Sequence, residues 1–424
     1  MTGSGTENRS LADWIDRHAF TIDSLEPDAP LDDLEPLGEL VGDARVVAIG
    51  ESAHHVGEFY RLRHRMLRFL VERCGFTVYA FEAPAGESRA IDAWIRGGPG
   101  SVTEVARTSG TQLAHCAEMH ATLAWMRRRN RTAARPVRFA GLLPGTGGAS
   151  FAGELAEVER YAERFDPDAL PLLRQAVNLA SSYADIASVP RTLTGYAAMS
   201  EGERDALTAI MSRLLARMES MGATGDEGGH AHATAALRRA WHLDHFTRDL
   251  TGYGLPIGAT AMDASIAETV VRLLDGHGPE SRIVLGLHNV HIRRTPALGP
   301  GPSGRLPAGY HLADALGPDY VAIAATSGGG RTVRGSLDPE QPNGFRFADM
   351  PVPVAPDTAV EGAFTGRAAT TIADLRAART AIDEAENYTR ILMEDYYTDV
   401  PVFDAFDALA RVDRTTVTDY LADS

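Results

Sequence analysis

The stretch GESAHHVGE, residues 50–58, closes the apolar run VVAI at 46–49 with a glycine, two carboxylates and two adjacent histidines. Such groups are out of place beside a buried strand unless solvated or paired, since even a neutral polar group loses roughly 2–7 kcal/mol on entering an apolar interior. Two more strand-like runs end in the same way: TVYAFE at 77–82 finishes in Glu82, and RIVLGL at 282–287 leads into His288 and His291. Ligands of open α/β sheets bind beyond the carboxyl ends of the strands. Parallel pairing of these runs would therefore bring Glu51, His54, Glu82, His288 and His291 to one edge. Arg63, nine residues after His54, can reach that edge from the helix that starts there.

The chemistry open to this set is narrow. A histidine with a pKa of about 6.5 is the usual general base at neutral pH. Carboxylates orient its ring and raise its basicity. An arginine or a second histidine can hold the oxyanion that forms when water attacks an acyl carbon. The set suits ester hydrolysis by activated water. Other routes lack their marks. There is no G-x-S-x-G elbow, Ser52 lying instead in GES. Cys74 reads as the end of a helix and Cys116 as lying within one, so neither thiol is activated. All 41 basic residues are arginine, which excludes a Schiff-base lysine and the lysine of a phosphate-binding loop.

Three histidines with two glutamates can also ligate zinc, but H-N-x-H at a strand end is not a helical H-x-x-x-H pair. A second group, His230, His232, His242 and His245, lies in a polar helical pattern and reads as solvated. The run Gly328–Gly330 lacks the G-x-G-x-x-G spacing of a dinucleotide site. Neither cofactor nor metal is expected. His55 points away from its neighbour and reads as structural. Glu58 is either a site residue or a first-turn glutamate matched to the helix dipole. Arg63 is either a site residue or one more charge on a solvated face, and Asp263 either assists the site or starts a helix.

Elements to position these groups follow from hydrophobic periodicity. RVVAIG (45–50), TVYAFE (77–82), VRFAGLL (137–143), RIVLGL (282–287) and DYVAIAA (319–325) are short, continuous apolar runs and predict buried strands. Residues 58–73 place Phe59, Leu62, Met66, Phe69 and Leu70 at helical spacing. The expected fold class is α/β, a largely parallel central sheet covered by helices. Its core would comprise 38–149 and 255–376. The helical pattern of 150–254 predicts an insertion forming one wall of the cleft. Residues 298–309 predict a surface loop, 331–356 a series of turns, and 377–397 a last helix before a polar tail, making 377–424 a C-terminal helical segment of one domain.

The 424 residues carry a net charge of −16, which repels nucleic acid and anionic membranes and fits a small-molecule partner. Two cysteines cannot build a disulfide framework, the first residues lack a signal-peptide pattern, and no apolar run approaches the ~20 residues of a membrane helix. A cytoplasmic protein is expected; its oligomeric state is left open.

The motifs GESAHHVGEF, FEAP, MDASIAE, LHNVH, AGYHLADALGPDY and TIADLRAA occur in an order that resembles the erythromycin esterase family, from about residue 38 to about 376. G-E-x-x-H-x-x-x-E-F followed by H-N-x-H is the specific pair. The resemblance implies metal-independent opening of macrolide lactones with His54 as general base. Glu51 and Glu82 would support it, and Arg63, His288 and His291 would complete the site. Three departures stand out: Met262 before Asp263 where the family has R-D, Leu143 where many members close the third strand in G-x-D, and Gly286 where a tryptophan is frequent just before H-N. Loss of charge at Leu143 and Met262 predicts a neutral or weakly polar polyketide-like lactone as substrate. The same site would also serve a natural-product tailoring enzyme catalysing cyclisation, elimination or transesterification. A drug-sequestering binder without turnover is the remaining alternative.

Overall fold

Runs that are apolar at every position can only be strands buried on both faces, and the structure pairs them accordingly. The computed structural model describes residues 10–422 apart from 146–147, 185–187, 223–225, 255–260, 277, 298–304, 339, 342–343, 365 and 368. Among the described residues there are twelve strands. The first six are β1 (Phe20–Ile22), β2 (Val46–Ile49), β3 (Val78–Pro84), β4 (Arg138–Leu143), β5 (Ile283–Gly286) and β6 (Tyr320–Ser327). The others are β7 (Arg331–Leu337), β8 (Phe345–Pro351), β9 (Thr370–Asp374), β10 (Arg390–Met393), β11 (Tyr396–Asp399) and β12 (Ala408–Val412). Eight strands form one sheet in the order β1-β9-β12-β6-β2-β5-β3-β4. It is parallel from β12 to β4, and β9 runs antiparallel to both of its neighbours. The remaining four strands make two antiparallel hairpins, β7–β8 and β10–β11.

Strand β2 shows the logic of the sheet. Val47 and Ile49 join one apolar cluster while Val46 and Ala48 join the other, so no position is left for a polar side chain. Helix Gly57–Arg73 covers the first face with Phe59, Leu62, Met66, Phe69 and Leu70. Helix Ala261–Gly276 covers the second with Ile266, Val270 and Leu274. Between Gly148 and Leu250 the described residues form five α-helices around a third cluster that includes Leu155, Leu173, Leu207 and Leu237. The last of them, Glu227–Leu250, is tied to helix Ala261–Gly276 by Arg238 and His242, both 3.2 Å from Glu268.

The chain's ends depart from expectation. Residues outside 38–149 and 255–376 complete the sheet, β1 at its edge and β12 inside it. The helix expected over 377–397 is Leu375–Ala381 only, and hairpin β10–β11 follows it. The expected polar tail contains β12, so 377–424 is not a helical segment. Arg411 concealed that strand. It is 5 % exposed, held by the Arg367 carbonyl and by Asp413 3.2 Å away, so a charge stands where the pattern calls for an apolar residue. The turns expected at 331–356 are hairpin β7–β8. Of the loop expected at 298–309, residues 298–304 lie outside the described residues. Among the described residues no helix is long and apolar enough to cross a membrane.

Candidate active site

The carboxyl end of β3 is held through Glu82, which accepts the His288 N–H, and the ends of β2, β5 and β6 are bound together by Asn289. Its Nδ2 donates to the Ala325 carbonyl at 2.8 Å, and its own N–H donates to the Glu51 carbonyl at 2.8 Å. A Cβ at Gly50 would lie 1.9 Å from Asn289 Oδ1, which is why β2 ends in glycine. Gly286 does similar work at the end of β5. A Cβ there would meet Tyr79 Oη at 2.8 Å and Arg63 Cδ at 2.9 Å, so the stem of Arg63 occupies the space that a side chain would need.

His54 stands at the centre. Its Nδ1 lies 2.7 Å from Glu51 Oε1, and its Nε2 lies 3.7 Å from Glu82 Oε1. Burial opposes charge on the ring, but the Glu82, Glu51 and Glu394 carboxylates outweigh it and hold the pKa up at about 9. Glu51 is itself buried, which favours the neutral acid, yet Arg63 and His54 pull its pKa down to about 2. Glu82 accepts the His288 backbone N–H at 2.8 Å with one oxygen and directs the other between His54 and His291, 3.7 Å from each Nε2. His291 Nδ1 is 2.7 Å from Asp263 Oδ1. Burial works against its charge, and Asp263 and Glu82 overcome that and raise its pKa.

Three of the expected site residues are placed by the geometry on other partners, Glu58 and Asp263 each in the first turn of a helix. Arg63 does not face the reaction space: it is 2 % exposed, 2.7 Å from Glu51 Oε2, and packed over the Tyr60 and Phe81 rings. Its Nη2 is held by Glu51 and the Gly50 carbonyl. Glu58 turns away from the site, accepting the Thr416 N–H and hydroxyl at 2.6 and 2.9 Å, and so pins the end of the chain. Asp263 lies behind His291, holding its Nδ1, and Oδ1 also accepts the Ala308 N–H at 3.1 Å. His288 has both ring nitrogens on backbone, Nε2 donating to the Ser52 carbonyl at 3.0 Å and Nδ1 accepting the Val290 N–H at 3.2 Å. Burial and the neighbouring His54 push its pKa down to about 4, so it is neutral and fixed.

The Arg63–Glu51 pair carries the first prediction. Removing one member of a buried ion pair typically costs about 3–5 kcal/mol. Arg63→Met therefore lowers stability by about 3 kcal/mol or more, read as a lower denaturant midpoint with unchanged slope. A midpoint equal to that of the wild type would show that Glu51 does not depend on Arg63.

Two cavities meet at His54 and Glu394. The first, about 460 Å³, also includes Leu113, Leu143, Val189, Met262, Val333, Phe345 and Phe347, and is largely apolar. Leu143 and Met262 line this cavity together with His54. Val189 belongs to the helical stretch between the core segments. The second cavity, about 540 Å³, includes His288, His291, Arg293, Arg305, Tyr396 and Asp399. Sequence reasoning missed Glu394. It sits in the β10–β11 turn at φ +53, a left-handed conformation unusual for a non-glycine residue, and its N–H donates to the Ser52 carbonyl at 2.6 Å. A hairpin turn has no periodicity to announce it.

His55 is buried with φ +58, its ring packed against Phe347 and Tyr420, and burial pushes its pKa down to about 3. The second histidine group is spread along helix Glu227–Leu250, with His230 on Tyr161, His232 on Glu157, His242 on Glu268 and His245 on Trp241. Cys116 occupies the N-cap position of helix Ala117–Asn130, contrary to expectation, but burial pushes its thiol up to about 12. Among the described residues no group of three His, Cys, Asp or Glu side chains is arranged to hold a metal ion.

Comparison with known proteins bears on this geometry. The sequence profile of the family described as erythromycin esterase matches residues 71–415. Erythromycin esterase type II of Escherichia coli is 27 % identical over 416 residues, covering 96 % of this chain and 98 % of its own. Erythromycin esterase type I of Escherichia coli is 24 % identical over 393 residues, covering 90 % and 93 %. Among solved structures, a mutant of the erythromycin esterase EreC in its open conformation superposes with a TM-score of 0.84 at 21 % identity, over 95 % of this chain and 98 % of that one.

Proposed function

We propose that this chain, which belongs to the erythromycin esterase family, is a hydrolase that opens a lactone or carboxylic ester of a polyketide-type small molecule with histidine-activated water. The supporting observation is the placement of His54, whose Nδ1 is fixed by Glu51 at 2.7 Å while its Nε2 faces the cavities. In its neutral form His54 takes the proton of water as the oxygen attacks the acyl carbon. The Glu51–Arg63 pair keeps the ring in register and stabilises the imidazolium that results. His291, oriented by Asp263, which with Glu82 favours its protonated form, lies across Glu82 and in that form donates to the tetrahedral oxyanion. His288, its nitrogens committed to backbone, holds the strand ends in place. The imidazolium of His54 then returns its proton to the leaving alkoxide, which closes the cycle.

Substrate preference follows from the first cavity. Its carboxylates, Glu82 and Glu394, act on His54, whereas Leu143, Met262 and Phe347 offer an aminosugar cation no partner and reward an aliphatic ring by roughly 25 cal/mol per Å² of apolar surface removed from water. Turnover of an aminosugar-bearing macrolide and of its sugar-free lactone is to be measured side by side, with products identified by mass. The expected result is a gain of one water on the sugar-free lactone and poor conversion of the cationic macrolide. Erythromycin hydrolysed at kcat/KM of roughly 10⁴ M⁻¹s⁻¹ or more would overturn the substrate preference. Isomerised or dehydrated products would replace hydrolysis by a tailoring reaction.

A further inference from the structure

Arg293 follows the short helix Asn289–Ile292 and is 3 % exposed. Its Nε and Nη2 donate to Thr295 Oγ1 at 3.3 and 3.0 Å, and Nη2 donates also to the Pro296 carbonyl at 2.9 Å. Both acceptors are neutral. Among the described residues no carboxylate lies within 4.0 Å of this guanidinium. Other deeply buried arginines in the chain are matched by a carboxylate: Arg63 by Glu51 at 2.7 Å, Arg65 by Asp33 at 2.6 Å and Arg239 by Glu154 at 2.8 Å. Among the described residues Arg204 has no carboxylate within 4.0 Å, but its Nη1 donates to backbone carbonyls and it lines neither cavity. Arg293 does line one, the second cavity, which it shares with His54, His291 and Arg305. An unmatched guanidinium in a desolvated wall is unfavourable until an anion meets it.

We propose that the second cavity is an anion subsite, seating a carboxylate or phosphate group carried by the substrate apart from the ester that reacts. Arg293 is the primary contact, because its planar fork suits either oxyanion. Arg305 adds a second cation on the same wall, with Asp263 Oδ2 4.0 Å away. The acidic groups of this cavity are otherwise engaged. Asp399 is 2.8 Å from Arg390, and Glu394 takes the Gly335 backbone N–H and faces His54. Burial lowers the pKa of Arg293 only to about 10, so the cation persists at neutral pH. The substrate so defined has an apolar body for the first cavity and an anionic substituent for the second. The inference rests on the hydrolase reading for the word substrate, but the subsite itself can be tested without turnover.

Glutarate, inorganic phosphate and the uncharged glutaramide are titrated calorimetrically into the full chain at about 0.15 M salt, where exposed charges are largely screened. Saturable binding of glutarate or phosphate, but not glutaramide, is expected, weakened about tenfold to a hundredfold in Arg293→Met. Binding of glutarate alone assigns a carboxylate, and of phosphate alone a phosphate. If Arg293→Met does not fold, Arg305→Met carries the same expectation for the same wall. In a second arm, the ratio of kcat/KM for an anionic ester to that for its methylated counterpart falls in the variant. No saturable binding of either anion, or equal binding by the variant and the wild type, overturns the subsite. Intact anion binding with neither ester turned over supports the subsite and rejects the hydrolase.

Discussion

His54→Gln lowers kcat by about 10²–10⁴-fold, the usual contribution of a positioned general base, and leaves the fold intact. The side chain is 28 % exposed, so its replacement opens no core cavity. Glu51 keeps its partner after the change, because Arg63 still lies 2.7 Å from Oε2. Glutamine keeps polar atoms near Glu51 but cannot accept the proton of water. The measurement is a turnover assay on the preferred lactone, with circular dichroism and thermal melting on the same preparation. A variant folded as the wild type and within about threefold of its rate would remove His54 from the chemistry, since general-base loss is larger than that.

The central residues of this site were legible because each lies near or just beyond the carboxyl end of a strand. Glycine followed by glutamate, and histidine three residues later, is unusual at the close of an apolar run, and parallel pairing carries such ends to a common edge. That reasoning located Glu51, His54, Glu82, His288 and His291. It said nothing of which nitrogen of each ring is free. His288 and His291 stand three residues apart, yet one is spent on backbone and the other faces Glu82. The difference lies in hydrogen bonds to Ser52 and Asp263, both far away in sequence. Arg63 misled for a related reason. Its spacing puts it near the edge, but Gly286 leaves room beneath the sheet end, and the guanidinium sinks in behind Glu51.

Glu394 and Arg293 were not legible. Glu394 is on a hairpin turn that the sequence suggested was helical, and Arg293 follows a helix of four residues. Neither has periodicity, and each acquires meaning only through contacts distant in the chain. The same limit hid β12, where one buried arginine interrupts an apolar strand. Continuous apolar runs and helical stripes report burial directly, so the sheet core was readable. Paired charges inside it were not.

On the proposed mechanism, activity is expected to rise steeply with pH. The base must be neutral, and in the free enzyme His54 is held at about 9 by Glu82, Glu51 and Glu394 against burial. At pH 7 only about one molecule in a hundred then has a neutral ring. The expected profile is kcat/KM increasing about tenfold per pH unit from 6 and levelling near 9, roughly a thousandfold in all, since this parameter reports the free enzyme. Bound lactone changes the balance. An apolar ring that displaces water from beside His54 disfavours its charged form, so the limb in kcat falls at lower pH than the limb in kcat/KM. Glu394→Gln removes one of the carboxylates that raise the pKa and moves both limbs down. Because His54, Glu82 and His291 interact, the limb belongs to the cluster as a titrating unit, and the Glu394→Gln shift is what ties it to His54. Stability runs the other way. A pKa raised from 6.5 to about 9 contributes stability that is complete below 6.5 and is lost as pH climbs through 9. The pH that frees the base therefore also loosens the site, and thermal midpoints should decline across the interval in which kcat/KM climbs. A profile flat between pH 6 and 9, with the melting temperature also flat, would show that no imidazole titrates in the catalytic step and would point to Glu82 as the group that takes the proton.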